Sequence, residues 1–464
     1  MKRSFIQKRH WILLFGIIPP LLIILVLAVV LFFVPPNSEI MMEKTQVGWN
    51  LVIALLVSLL CAISSIYYWR NYAELPQQSL SVRLYSEGVD EIDYHLIERL
   101  FRGSYEVRLY PLTGGFSGTL VFRVDYRDQQ GERLSKVLKL GPGEKIKREE
   151  ENYIDFVRDS ILGVRMSKCE YEKGRGAALY TFANMSRRET VTFEELFSDA
   201  ECNIDDVVMV IREVFLNTLQ PWLSGAQTSR TSYLYRTYDL AQDWNKICQG
   251  VNDLGLDPDA HYFDCLGRRF PNPLKQALKW FEARADSPIY TKHAIVHGDL
   301  NSRNILIDGN QNVFVIDFAK TRRDHFLRDF CKLEAEIMFC LIQMPADDTE
   351  HVIALAEALL LDENGEPFEY LRDLLQVNVV ENTALHLERA WRSIRALREI
   401  ASQAIGPSRV ELEAEQYYLG LLHHTLDTLR YEQCDRHSKQ HALISASLLC
   451  RALHKGNSQH RAHF

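Results

Sequence analysis

The residue types with the clearest chemical capacity lie in one loop and at the end of the strand predicted to follow it. Residues His297–Asn304 read His-Gly-Asp-Leu-Asn-Ser-Arg-Asn and are flanked by apolar runs of strand length. A turn then leads into a third apolar run, 313–316, which delivers Asp317. Phosphoryl transfer needs a carboxylate that orients the attacking hydroxyl, and oxygen ligands that hold Mg²⁺ against the phosphates. Asp299, Asn304 and Asp317 supply groups of these types, although Asp and Asn are also common in ordinary turns.

A glycine-rich segment earlier in the chain is predicted to lie between two strands and to bind phosphates. Glycines there let backbone amides approach phosphate oxygens closely. A Gly-Gly pair also marks ordinary hairpins, so the segment gains weight because it precedes Lys139 along the chain. The predicted nucleotide-binding residues of the segment are Gly114, Gly115, Phe116, Ser117 and Gly118.

Lys139 interrupts an apolar strand and is predicted to meet an anionic partner. Burying a lysine is costly unless an anion contacts it, and phosphate oxygens together with a helix carboxylate would do so. The predicted helix over residues 144–158 offers Glu149, Glu150 and Glu151. Helical periodicity does not separate the three, and each taken singly could be a solvated surface charge. We expect Glu149 to pair with Lys139.

Two kinds of structural element are needed to position these residues. Short β-prone runs and turn residues over 81–182 predict an antiparallel sheet with an embedded helix. From residue 192 onward, long amphipathic patterns predict helices. The sequence therefore predicts an α+β fold with a small β lobe, 80–184, that holds the glycine-rich segment and Lys139, and a helical lobe, 185–464, that holds the catalytic and metal-binding loops.

Two apolar stretches near the N-terminus predict a two-helix transmembrane hairpin within residues 1–75. The stretches 11–34 and 47–69 contain no ionisable residue, and each can cross a hydrocarbon core about 30 Å thick. Positive charge before the first stretch and at Arg70 predicts that both termini and the catalytic domain face the cytoplasm. We therefore expect a multi-pass protein of a bacterial inner membrane, anchored in the lipid bilayer. A cleaved signal peptide is the alternative for the first stretch, but its apolar core is far longer than usual.

Composition excludes several other classes of protein. The chain has 53 Lys and Arg against 61 Asp and Glu, so no global positive charge attracts nucleic acid. Its nine cysteines are scattered without zinc-site or redox spacing and are expected to be reduced thiols. The histidines near the C-terminus lack metal-ligand spacing.

The catalytic-loop string is similar to one found in a known family. His297–Asn304 followed by Ile316-Asp317-Phe318 resembles the motif pair of the aminoglycoside phosphotransferase-like kinases. Lys139 within a Leu-Lys-Leu strand, the pair Arg148-Glu149, and the run 325–330 make the chain similar to the kinase-like ternary complex associated domains of bacteria.

This resemblance implies a bilobal protein-kinase-like fold with an ATP-binding cleft between the lobes. Asp299 would be the catalytic base, with Lys139 paired to Glu149, and the Mg²⁺ ligands would be Asn304 and Asp317. Asp329 would brace the catalytic loop. Two residues depart from protein-kinase patterns, since Ala319 replaces the glycine after Asp-Phe and Gly298 replaces an arginine. The second change is usual in the aminoglycoside-like branch and disfavours activation-loop phosphorylation as a switch.

Three functions are compatible with these residues. The first is a membrane-anchored phosphotransferase that moves the γ-phosphate of Mg-ATP to a hydroxyl of a small molecule or a protein. The second is a catalytically silent module that binds ATP and regulates a bacterial signalling or conflict system. The third is a membrane scaffold that binds no nucleotide. We expect the first, because its reacting positions carry competent side chains, although motifs establish a site and not a substrate.

Overall fold

The structure, a computed structural model, describes residues 82–84, 89–112, 119–161, 164–182, 190–265, 267–342, 349–361, 385–405, 413–432 and 434–460. All of them belong to one compact unit, Leu80–Phe464. The glycine-rich residues 114–118, the predicted lobe boundary at 184/185 and the predicted membrane spans lie outside the described residues.

The first lobe is built on a six-stranded sheet. Its strands are β1 (Val82–Leu84), β2 (Tyr105–Leu112), β3 (Leu120–Arg127), β4 (Arg133–Pro142), β5 (Val164–Glu172) and β6 (Arg175–Phe182). Their order in the sheet is β1-β2-β3-β4-β6-β5. β1 pairs with β2 in parallel, and the other neighbouring pairs are antiparallel.

Two helices cover this sheet. The buried apolar residues form two core clusters. α1 (Glu91–Leu100) packs against strand residues in the smaller cluster, and α2 (Gly143–Asn152) packs in the larger one. β4 contributes to both clusters, so its residues 137–141 are all buried instead of alternating with exposed ones. Because side chains alternate along a strand, Lys139 shares the face of Val137, which belongs to the α2 cluster.

The second lobe is rich in helices. They are α3 (Phe193–Ser198), α4 (Ile204–Glu213), α5 (Gln220–Ser224), α6 (Leu234–Thr237), α7 (Trp244–Asp253), α8 (Pro273–Arg284), α9 (Arg328–Glu336), α10 (Thr349–Leu360), α11 (Leu385–Ile405), α12 (Glu413–Thr428) and α13 (Arg436–His460). Their apolar faces form most of the larger core cluster. This core therefore supports the loops that carry the candidate site.

Three small sheets in the described part of this lobe hold those loops. Their strands are β7 (Val191–Thr192), β8 (Gln227–Ser232), β9 (Tyr262–Cys265), β10 (Arg268–Pro271), β11 (Ile289–Val296), β12 (Ile305–Ile307), β13 (Val313–Val315) and β14 (Arg322–His325). β12 lies between β7 and β13, β11 lies between β8 and β14, and β9 pairs with β10. The catalytic-loop string thus leaves β11 and enters β12.

The predicted α+β class is confirmed. The sheet is antiparallel as predicted except at its edge, where β1 pairs with β2 in parallel. The expected strand runs correspond to β2, β3 and β4. The helix expected over 144–158 is divided, because α2 ends at Asn152 and a π-helical turn, Tyr153–Val157, follows it.

A buried ion pair links three helices of the second lobe. Arg398 on α11 donates to both carboxylate oxygens of Glu334 on α9, at 3.0 Å from Nε and 2.5 Å from Nη2. Tyr417 on α12 donates its hydroxyl to Glu334 Oε2 at 2.5 Å. The side chains of Arg398 and Glu334 are 1% and 0% exposed. Removing one partner therefore leaves an uncompensated charge in the core.

We expect Arg398→Met to lower the free energy of unfolding by about 3–5 kcal/mol, since Glu334 loses its charged partner. The matched control is Arg392→Met on the same helix. Arg392 is 40% exposed and pairs with Asp205 at the surface, where an ion pair contributes about 0–1 kcal/mol. Urea denaturation of the full-length protein, followed by fluorescence, measures both. Equal losses in the two variants would contradict the assignment of a stabilising buried pair.

The predicted membrane localisation requires a correction. In the part of the chain that the structure describes, no helix is both long enough and apolar enough to cross a bilayer. The longest of the described helices, α11 and α13, have 21 and 25 residues, and both carry charged residues, such as Arg398 on α11 and Lys439 on α13. The predicted multi-pass inner-membrane localisation is contradicted on this finding, and the lipid bilayer is without support as a partner. The spans predicted at 11–34 and 47–69 are themselves outside the described residues.

Candidate active site

The catalytic loop is fixed at its start by a buried carboxylate. β11 ends at Val296, and Asp329 at the start of α9 accepts backbone N–H groups from His297 at 2.6 Å and from Gly298 at 2.9 Å. Gly298 has a φ of +80°, and a Cβ there would lie 2.4 Å from the carbonyl oxygen of Lys320. A side chain at position 298 would be strained in its backbone and would collide with the 3₁₀ turn Phe318–Lys320. The loop therefore turns tightly towards Asp299.

Asn304 is oriented within the same loop. A 3₁₀ turn, Ser302–Asn304, is capped by the Asn301 side chain, which accepts from Arg303 N and Asn304 N. Asn304 Nδ2 donates to the carbonyl oxygen of Asp299 at 2.8 Å. That bond leaves Asn304 Oδ1 as the amide atom able to ligate a cation.

Strand pairing brings Asn304 next to the segment that carries Asp317. β12 and β13 pair with Ile305 opposite Val315, and Ile316 N donates to Asn304 O at 3.0 Å. Asp317 follows directly in the left-handed region, with φ 70° and ψ 68°. A non-glycine residue in that region is strained and is a feature of functional sites.

Asp317 and Glu149 both contact the ammonium of Lys139. Lys139 Nζ lies 2.6 Å from Glu149 Oε2 and 2.7 Å from Asp317 Oδ1. Glu149 also accepts from Tyr180 Oη at 2.6 Å and from Phe318 N at 3.2 Å, and its side chain is 0% exposed. Donors from three other segments converge on Glu149. Burial raises the pKa of its carboxyl above the usual value, and the contacts with Lys139 and Tyr180 oppose that rise. Of the three candidate glutamates, Glu149 is the one that contacts Lys139, whereas Glu150 accepts from Tyr171 Oη near the surface.

This network sets the charge state of its members. Burial opposes the charged form of Lys139, but Glu149 and Asp317 raise the pKa of its ammonium above the usual value. Burial likewise opposes ionisation of Asp317, but Lys139 lowers the pKa of that carboxyl below its usual value. Asp317 is therefore ionised at neutral pH, the form that can ligate a cation.

Contacts between the lobes hold the Asp317 turn in place. Asn152 at the end of α2 donates to the carbonyl oxygens of Phe318 and Ala319, at 2.9 and 3.0 Å. The Phe318 ring packs edge-on against Trp222 and beside His297. Ala319, which departs from the protein-kinase pattern, thus accepts its hydrogen bond from Asn152 through its backbone carbonyl oxygen.

Asp299 lies at the edge of a cavity of about 360 Å³ whose lining includes Lys320 and Lys332 but neither Lys139 nor Asp317. Lys320 Nζ lies 2.9 Å from Asp299 Oδ2. Neither Lys320 nor Lys332 is among the site residues predicted from the sequence. The position of Lys320, three residues after Asp317, was the available signal.

The donor types fit a magnesium ion. One carboxylate and one amide oxygen are hard ligands of the kind that Mg²⁺ takes, alongside waters and phosphate oxygens. Among the described residues, no group of three or more His, Cys, Asp or Glu side chains forms a metal site of its own. A Mg²⁺ ion at Asn304 and Asp317 would therefore depend on nucleotide phosphates for further ligands.

The glycine-rich residues Gly114–Gly118 lie outside the described part of the chain. The strands on either side are described, and Leu112 at the end of β2 is opposite Val121 on β3. Lys139 on β4 is also opposite Val121. The segment therefore joins two strands beside Lys139.

We predict that Glu149→Gln weakens binding of the ATP analogue AMP-PNP by about tenfold or more, because Lys139 loses a buried charged partner. Glu150→Gln is the matched control, since Glu150 does not contact Lys139. Isothermal titration calorimetry on the full-length protein measures both. An unchanged affinity in Glu149→Gln would show that the pair does not position Lys139 for nucleotide.

No curated protein matches the chain. Among solved structures, a thermostable mutant of aminoglycoside phosphotransferase APH(4)-Ia in its apo form aligns at 14% identity and a TM-score of 0.38, over 78% of this chain and 98% of that one. Aminoglycoside phosphotransferase APH(3'')-Id from Streptomyces rimosus aligns at 15% identity and 0.31, over 67% and 99%. An amicoumacin kinase in complex with AMP-PNP, Ca²⁺ and its ligand aligns at 12% identity and 0.34, over 77% and 94%.

The family model described as ternary complex associated domain 9 matches residues 106–247 and 256–430. The match spans more than half of the chain and includes Lys139, Asp299, Asn304 and Asp317. The predicted resemblance to the kinase-like ternary complex associated domains is confirmed. The chain belongs to the ternary complex associated domain 9 family.

Proposed function

We propose that this chain is a phosphotransferase that moves the γ-phosphate of Mg-ATP to a hydroxyl group. The observation that carries the proposal is the continuous set of contacts from Glu149 through Lys139 to Asp317, and from Asn304 to Asp299. It joins a buried cation, two oxygen ligands and a carboxylate beside a cavity, which are the parts that phosphoryl transfer requires.

Each residue has a distinct task in this proposal. Lys139, held by Glu149, contacts phosphate oxygens of the nucleotide. Asn304 and Asp317 hold Mg²⁺, which neutralises charge on the phosphates when it is bound. Asp299 orients the acceptor hydroxyl and accepts its proton. The glycine-rich residues Gly114–Gly118 cover the phosphates through their backbone amides.

Lys320 adds a positioning role beside the base. Its ammonium lies 2.9 Å from Asp299 Oδ2, which leaves Oδ1 to accept from the acceptor hydroxyl.

A transfer assay tests the proposal. Full-length protein is incubated with γ-labelled ATP, Mg²⁺ and a mixture of hydroxylated small molecules and proteins, and ADP formation and label transfer are followed. We expect ADP formation that requires Mg²⁺ and label on a hydroxyl. Nucleotide binding without transfer to any acceptor would instead support a catalytically silent regulatory module, and neither binding nor transfer would support a scaffold.

A further inference from the structure

The cavity beside Asp299 has the size of a small-molecule site. Its volume is about 360 Å³, near the lower end of the range of roughly 300–1,000 Å³ for ligand pockets. Its lining comes from the segment after α6, from β14 and α9, and from the end of α12 with the residues that follow. Several independent elements therefore converge with Asp299 on a cavity that neither Lys139 nor Asp317 lines, and an acceptor could lie there.

Positive charge predominates in the lining although the whole chain has a net charge of −8. The lining holds four aspartates, one of which is Asp299 itself, and two histidines, His423 and His424. Burial lowers the pKa of His423 to about 4 and lowers that of His424 well below its usual value, so both are neutral at pH 7. The lysines and arginines of the lining outnumber its aspartates by two, and they are Arg236, Lys320, Arg322, Arg328, Lys332 and Arg430.

Most of these cations have close partners within the protein. Arg328 lies 2.8 Å from Asp324 and donates to Thr237 O at 2.9 Å. Lys320 pairs with Asp299 at 2.9 Å. Arg328 therefore helps to position the cavity wall, and Lys320 helps to position Asp299.

Lys332 differs from them because its ammonium lacks a hydrogen-bond partner among the described residues. Its nearest carboxylate oxygen, Glu336 Oε2, is 3.8 Å away, beyond hydrogen-bonding distance. Its side chain is only 11% exposed, and Nζ lies 5.5 Å from the centre of the Tyr431 ring. Burial opposes its charge, but Tyr431, Glu336 and Asp299 raise the pKa of Lys332. An ammonium that lines a cavity and has no hydrogen-bond partner among the described residues is free to donate to an anionic oxygen there.

Arg430 adds a second donor at the same wall. Its guanidinium stacks over the Tyr431 ring at 4.8 Å and pairs with Asp427, while Asp243 lies 3.5 Å away. Its Nε and Nη2 atoms both bind the Asp427 carboxylate, so Nη1 is the nitrogen left to donate to an anion, and the side chain is 25% exposed. Lys332 and Arg430 thus flank Tyr431 and together form the part of the lining best suited to an anion.

We propose that the acceptor is a small hydroxylated anion whose phosphate or carboxylate group is bound by Lys332 and Arg430 while its hydroxyl faces Asp299. This inference rests on the proposed phosphotransferase function. In the transfer, the acceptor oxygen forms a bond to the γ-phosphorus as the bond from that phosphorus to the β–γ bridging oxygen breaks. ADP leaves with the electron pair, and the hydroxyl proton passes to Asp299.

A matched panel of hexoses tests the charge preference. Glucose 6-phosphate, glucuronate, glucose and glucosamine share ring hydroxyls and differ in charge. Their binding to full-length protein is measured by calorimetry with saturating Mg-AMP-PNP, and label transfer from ATP is measured in parallel. We expect at least one of the two anions to bind about tenfold or more tightly than glucose and glucosamine. The comparison of the phosphate with the carboxylate identifies the preferred anionic group.

Variants separate the role of Lys332 from a general effect of charge. Lys332→Gln should remove the preference for the anion, and Lys332→Arg should retain most of it. Lys279→Gln, which removes an exposed lysine on α8 that does not line the cavity, should leave the preference intact. If Lys332→Gln fails to fold, the panel on the unaltered protein remains decisive.

The outcomes distinguish this inference from the function on which it rests. Failure of Mg-AMP-PNP to bind would overturn the proposed function itself. Nucleotide binding with equal or tighter binding of glucose or glucosamine, or with no binding of any hexose, would overturn the anionic acceptor alone.

Discussion

Replacing Asp299 by asparagine should lower kcat for phosphoryl transfer by about 10²–10⁴-fold, the usual contribution of a positioned base. The amide keeps the shape of the side chain but cannot accept the proton of the acceptor hydroxyl. Affinity for Mg-ATP should stay nearly constant, because Asp299 contacts Lys320 and, through its backbone, Asn304, but not Lys139 or Asp317.

Transfer kinetics and calorimetry on the same preparation measure the two effects. Asp264→Asn is the control, since Asp264 is 68% exposed and pairs with Arg269 on a surface hairpin. A variant at position 299 that transfers phosphate at the rate of the unaltered protein would remove Asp299 as the base.

Replacing Asp317 by asparagine should weaken nucleotide binding itself. The substitution removes one metal ligand and one charge beside Lys139, so we expect Mg²⁺-dependent affinity for AMP-PNP to fall by about 10–100-fold or more. Asparagine tolerates the left-handed backbone conformation of position 317, so the turn itself should persist.

The measurement is AMP-PNP affinity with Mg²⁺ and with EDTA, for the unaltered protein and for Asp317→Asn. The variant should lose most of the difference between the two conditions, whereas Asp264→Asn should keep it. A full Mg²⁺ effect in Asp317→Asn would show that the metal is held elsewhere.

Local sequence patterns predicted those parts of the site that depend on neighbouring residues. The loop His297–Asn304 and the strand before Asp317 are short segments with turns between them, and the pairing of β12 with β13 brings Asn304 beside Ile316. The apolar run around Lys139 likewise predicted that it lies in a strand, which is β4. Apolar runs and turn-forming residues involve only neighbouring positions, so they can be recognised in a single sequence.

The partner of Lys139 could not be selected in the same way. Glu149, Glu150 and Glu151 occupy consecutive positions on α2, and its periodicity admits more than one buried face. The structure distinguishes Glu149 because Tyr180 and Phe318 N, which are 31 and 169 residues away, donate to its carboxylate. Contacts over such separations leave no trace in local periodicity.

The cavity wall was unpredictable for the same reason. Lys332, Tyr431 and Asp243 lie on separate segments that meet only after the helical lobe has folded. The aromatic and basic residues of the stretch 224–257 could line an acceptor pocket or pack the lobe, and such patterns favour packing. The structure divides it, because Tyr235 and Tyr238 are buried in the core while Asp239 and Asp243 line the cavity.

The most direct test of the nucleotide site is calorimetric titration of the full-length protein with AMP-PNP in Mg²⁺, repeated with Lys139→Met. We predict saturable binding of one nucleotide per chain that depends on Mg²⁺ and is lost or greatly weakened in Lys139→Met. Absence of binding at millimolar nucleotide, or equal binding by Lys139→Met, would contradict the assignment of Lys139, Asn304 and Asp317 to a Mg-ATP site.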